Sequence, residues 1–144
     1  MADLLDRLFA LWIEPVPPAD EAARAAFGSV YADPVRVNGT DLPLEDLVAR
    51  ARAIQGALTE LDVEIVDRVE TPDRIVVGFY LRGRQVGRWV GPLGAVPPTG
   101  RQVAIRTTDI LTVRAGVVTD IWVVADDLGA LMQLDAVALR PAPS

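Results

Sequence analysis

The chain has 144 residues, a formal net charge of −6 and 51% apolar residues, with no cysteine and no histidine. A chain of this length suits one domain, 1–144, that buries about 70% of its unfolded surface, and its apolar content excludes a disordered segment. Disulfides, thiolate nucleophiles, Ser–His–Asp and Cys–His machinery and soft metal sites are all excluded, while the acidic charge argues against nucleic acid and the lack of a long apolar run against a membrane span.

The opening stretch, MADLLDRLFALWIEP, is acidic where a secretory leader is basic, so a mature cytoplasmic protein is expected. Leu4, Leu5, Leu8, Phe9 and Trp12 recur at helical spacing over 3–12, and EPVPP at 14–18 ends that helix. Asp20 and Glu21 open a second helix to about Phe27. YADPVRVNG at 31–39 reads as a turn and a short extended piece. The clearest helix spans 43–58, with Leu44, Leu47, Val48, Ala51, Ile54 and Leu58 on one face and Arg50 and Arg52 off it.

From Asp62 the period shifts towards two, giving strands at 62–69, 74–82, 85–90, 102–113 and 117–125. TPDR at 71–74 and RAG at 114–116 are hairpin turns, GPLGAVPPTG at 91–100 is a longer connection, and 128–138 is a closing helix. Helices followed by meandering antiparallel strands predict an α+β domain whose curved sheet wraps a small-molecule hollow.

Pairing the last two strands so that Val113 faces Val118 sets Asp109 opposite Trp122, Thr107 opposite Val124 and Ile105 opposite Asp126. On that register Asp126 points into the hollow and Asp127 away. A carboxylate in an apolar pocket has its pKa raised towards neutrality, where it both takes and returns a proton. Asp126 is therefore the candidate acid–base group, although aspartate before LGALMQL is also a good helix N-cap. Asp109 in mid-strand serves equally well as an ion-pair partner or as a functional group. Trp122, Trp89, Thr107, Tyr80, Gln85 and Asn38 are candidate substrate contacts, each with an ordinary core, strand or loop explanation.

Residues 91–134 resemble the C-terminal half of SnoaL-like polyketide cyclases. The shared features are the PPTGR loop, D-I-L-x-V-R-x-G, and a Trp followed four residues later by Asp and then D-L-G-x-L-x-Q-L. YADPV at 31–35 and TELDVEI at 59–65 match more loosely, and the resemblance covers about residues 25–135. It implies the nuclear transport factor 2-like cone, usually dimeric. It also implies an intramolecular aldol ring closure without metal or organic cofactor, with the aspartate matching Asp126 as acid–base. Where family members commonly carry histidine, this chain has Ile121, Gln85 and Asn38. The function classes left open are a cyclase or isomerase on a polyketide-like or other apolar substrate, an epoxide hydrolase or epoxide-opening cyclase, and a non-catalytic ligand carrier or accessory protein.

Overall fold

A computed structural model describes residues 3–144. Asp3 caps helix α1 (Leu4–Ile13) by accepting the Asp6 backbone N–H at 2.9 Å. This helix turns Leu5, Leu8 and Phe9 inward, and the proline-rich turn after it leads into α2 (Asp20–Gly28), which buries Ala23 and Phe27. Strand β1 (Tyr31–Val37) returns through Asn38 and Gly39, at φ +48° and +85°, into the short β2 (Thr40–Leu42). Two successive positive φ values are what a two-residue hairpin turn requires, and Asn-Gly supplies them with least strain.

Helix α3 (Leu44–Ala57) buries Leu44, Leu47, Val48 and Ala51, and the chain passes directly into β3 (Leu58–Thr71). The predicted helix end at 58 is corrected by one residue, because Leu58 already pairs with Gln85 as a strand residue. Strand β3 forms a long hairpin with β4 (Arg74–Gln85). The stretch expected to be a plain connection contains a hairpin of its own, β5 (Trp89–Gly91) with β6 (Gly94–Val96). Strands β7 (Gln102–Arg114) and β8 (Val117–Ala125) follow, then α4 (Asp127–Gln133), which is shorter than the predicted 128–138.

The main sheet has six strands in the order β2-β1-β8-β7-β4-β3. Its helices and sheet give the α+β cone that the resemblance implies. One pair departs from the antiparallel expectation: β1 runs parallel to β8, so the sheet is mixed. Register breaks in β3, between Thr59 and Asp62 and between Ile65 and Asp67, bend the sheet over the helices. One core cluster joins α1, α2, α3 and the sheet through Phe9, Phe27, Leu47, Val35 and Leu111; a second gathers Leu58, Val103, Ile105 and Leu134 at the other end. Each fully buried side chain of this size contributes roughly 1.5–3 kcal/mol. Among the described residues no helix is long and apolar enough to cross a membrane.

The β7–β8 register corrects the sequence reading. Val113 does face Val118, but the next pair is Thr112 with Asp120, so Thr119 is an extra residue in β8. Beyond this bulge every partner moves by one, so that Asp109 faces Val123 and Thr107 faces Ala125. Because strand side chains alternate, this single residue moves Trp122, Val124 and Asp126 to the outer face and turns Ile121, Val123 and Ala125 inward.

Candidate active site

Between the two core clusters lies a cavity of about 840 Å³. Its walls are largely apolar: Leu8, Phe9 and Trp12 from α1, Leu47 and Ile54 from α3, Phe79 and Leu81 from β4, and Trp89 from β5. The inner faces of β7 and β8 supply Ile105, Thr107, Asp109, Ile121, Val123 and Ala125.

Asp109 is a buried carboxyl on the wall of this cavity. It is only 8% exposed, and its Oδ1 is buried with no hydrogen-bond partner among the described residues. Burial removes water that would stabilise the charged form, and this pushes the Asp109 pKa up to about 7. Such a carboxyl is held near the point where both protonation states are populated at neutral pH.

Tyr31, at the start of β1, lines the same cavity and is 3% exposed. Trp12 donates its indole Nε1–H to the Tyr31 hydroxyl oxygen at 2.8 Å. That bond leaves the Tyr31 O–H proton free to donate onward and polarises it towards doing so. Burial, with the Asp109 charge adding to it, raises the Tyr31 pKa well above its ordinary value, so the hydroxyl keeps its proton. Asp127 also lines the cavity. Among the described residues no three carboxylates gather as metal ligands would.

Of the residues singled out from sequence, Asp109, Thr107 and Trp89 line the cavity. Thr107 directs its hydroxyl to the Ile105 carbonyl at 3.2 Å. Asp126 does not point inward as expected. It is the N-cap of α4, with Oδ1 accepting the Gly129 N–H at 2.9 Å and Oδ2 lying 3.5 Å from Arg106 on the outer face. The inward and capping roles expected of Asp126 and Asp127 are thus exchanged, a consequence of the bulge at Thr119. Trp122 is 58% exposed on the outer face for the same reason.

Tyr80 lies on the strand face opposite Phe79, in register with Arg106 on the outer surface. Asn38 extends the sheet with its side chain, Oδ1 accepting the Val123 N–H at 2.8 Å and Nδ2 donating to the Val123 carbonyl at 3.2 Å. Gln85, fully buried, is a loop clasp: Nε2 donates to the carbonyls of Gly87, Val96 and Pro97, and Oε1 accepts from the backbone and hydroxyl of Thr99. Sequence reasoning missed Tyr31 and Trp12 as a pair, because nothing local joins residues on a helix and a strand 19 positions apart. Arg50 is exposed, off the buried stripe of α3 as its spacing predicts, and it also lines the cavity.

Solved structures share this architecture. TsrD from Streptomyces laurentii aligns with a TM-score of 0.75 at 23% identity, covering 93% of each chain. A SnoaL-like polyketide cyclase from Agrobacterium tumefaciens aligns at 0.68 with 18% identity, over 93% of this chain and 99% of that one. A protein of ketosteroid isomerase-like fold from Catenulispora acidiphila, solved with trimethylamine, aligns at 0.68 with 14% identity over 94% of both. At these identities the likeness establishes the fold. No curated protein matches the sequence significantly. The family model for SnoaL-like polyketide cyclases, however, matches residues 16–134, most of the chain, and the protein belongs to that family.

Proposed function

We propose that the protein is a cyclase or isomerase that closes a ring on a polyketide-like substrate, with Asp109 rather than Asp126 as its acid–base group. The observation that carries this reading is the unpartnered carboxyl oxygen of Asp109 in an apolar cavity that Tyr31 also lines. The ionised Asp109 takes a proton from a carbon flanked by carbonyl groups. Tyr31 donates a hydrogen bond to the resulting enolate oxygen, aided by Trp12 behind it. The enolate carbon attacks a second carbonyl carbon of the same molecule, forming the ring bond, and the new alkoxide takes back the proton held by Asp109. The apolar walls hold the chain folded so that the two carbons meet, and this proximity supplies much of the acceleration.

Two copies associate in this proposal through the outer sheet face, where Val69, Val76, Ile110 and Trp122 lie in register across four strands.

Deuterium exchange into a bicyclic aromatic β-keto ester in heavy water, followed by mass spectrometry, tests the chemistry. Exchange is expected with the wild type and with Asp126→Asn, since asparagine also caps helices. With Asp109→Asn it should fall by at least about a hundredfold, the usual contribution of a positioned base. Unchanged exchange in Asp109→Asn would refute the assignment, and ligand binding without exchange in the wild type would leave a carrier.

A further inference from the structure

Helix α3 turns Leu47, Arg50, Ile54 and Ala57 towards the cavity at helical spacing. Arg50 is the one charged member of that stripe. Arg88 lines the cavity from the connection between β4 and β5. Its backbone is clamped to the end of α3: Val86 and Gly87 both donate to the Ala57 carbonyl, at 2.9 and 3.1 Å. The approach is so close that a Cβ on Gly87 would collide with the Gly56 carbonyl oxygen. Arg50 is about 9 Å from Gly56 along the helix axis, so both cations stand on the α3–β5 side of the cavity. Among the described residues neither forms an ion pair, whereas Arg52, in the same helix, reaches Asp20 at 2.8 Å. In a chain with 20 acidic residues against 14 basic ones, two uncommitted guanidinium groups on one apolar cavity form a receptor for an anion.

We propose that the ligand of this cavity carries a free carboxylate, held by Arg50 and Arg88 on the α3–β5 side, while its ring body fills the apolar space reaching to Asp109. The inference rests on the cyclase reading and names the substrate class of that site: polycyclic aromatic acids rather than their esters. Anchoring one end fixes which carbon faces Asp109, so the cations set orientation as well as affinity. Both arginines are exposed, so salt screens the attraction, and the acid's advantage shrinks as ionic strength rises.

Trp12 and Trp89 line the cavity, so quenching of tryptophan fluorescence reads occupancy. The probes are anthraquinone-2-carboxylate and its methyl ester, titrated at about pH 8 and low salt. The wild type is expected to bind the acid about tenfold more tightly than the ester, a modest charge-assisted gain for a solvated site. In the double variant R50Q/R88Q the ester should bind as before and the ratio should fall to about one. Equal binding of both probes by the wild type, binding of neither, or a preference that survives in R50Q/R88Q overturns the proposal. The ratio needs no turnover, so the two readings fail separately. Deuterium exchange that depends on Asp109 with no preference for the acid refutes the anchoring alone; a preference lost in R50Q/R88Q without any exchange refutes the catalytic reading alone.

Discussion

Burying a carboxyl that has no partner works against folding, and Asp109 makes that cost measurable. Its pKa rises from 3.8 in water to about 7 through burial. Between those values the folded state holds the proton more tightly than the unfolded state, so stability falls as pH rises through the window, and the full cost is present above pH 7. A shift of about three units corresponds to about 4 kcal/mol, reduced by whatever water enters the cavity. Asp109→Asn carries no charge at any pH, and the other carboxylates are common to both proteins. Urea unfolding at about pH 4.5 and pH 8 should therefore show the wild type losing roughly 2–4 kcal/mol relative to Asp109→Asn on going to the higher pH. A difference independent of pH would mean that the carboxyl is already solvated. On the proposed mechanism the same group should give the turnover profile a limb rising through about pH 7, because the base must be ionised. The inward side of β7 was legible from alternation alone, since Ile105, Thr107, Asp109 and Leu111 share a parity that the structure keeps. The direction of Asp126 was not, because it depended on counting residues through a neighbouring bulge.

That bulge belongs to the scale of elements. The turn at Ala115 and Gly116, with φ +51° and +80°, was readable because RAG supplies the conformations a tight hairpin needs. An extra residue such as Thr119 leaves no comparable signature, as threonine suits a regular strand equally well. The β5–β6 hairpin was hidden in a proline- and glycine-rich stretch for a related reason. Besides its own short backbone pairing, it is anchored by a side chain outside it, Gln85. The side-chain amide of Gln85 ties together Gly87, Val96, Pro97 and Thr99 within a fully buried site. Gln85→Leu keeps the volume and leaves those carbonyls and the Thr99 N–H without partners, which should cost roughly 2–4 kcal/mol in urea unfolding. Because this hairpin carries Trp89 on the cavity wall, the variant should also weaken binding of an apolar cavity ligand. A variant as stable as the wild type would show that water replaces the amide.

At the scale of the whole molecule, the succession of helices and then period-two strands was enough to foretell an α+β domain, and the family resemblance implied the cone, while neither foretold the parallel pairing of β1 with β8. The first strand is separated from its partner by most of the chain, and its proline and short length read locally as a turn. The outer face of the sheet raises a question that only the assembled molecule poses. Val69, Val76, Ile110 and Trp122 are cross-strand neighbours, exposed by 61%, 38%, 37% and 58%, and Val124 beside them is 63% exposed. At about 4.8 Å between strands they form an apolar band roughly 15 Å wide, and a contiguous band of that kind marks an interaction surface more often than scattered apolar residues do. In the proposed dimer a second copy of the chain covers this band, since a two-fold axis through one face would pair the band with itself and close the assembly. Light scattering on the purified protein should then give twice the 15.5 kDa of one chain. Trp122→Glu places a charge at the centre of the band, so it should yield the monomer. Because Trp122 faces away from the cavity, Trp122→Glu should bind a cavity ligand with wild-type affinity. A wild type that is monomeric at high micromolar concentration would leave the band without this partner, and a Trp122→Glu dimer would place the interface elsewhere on the molecule.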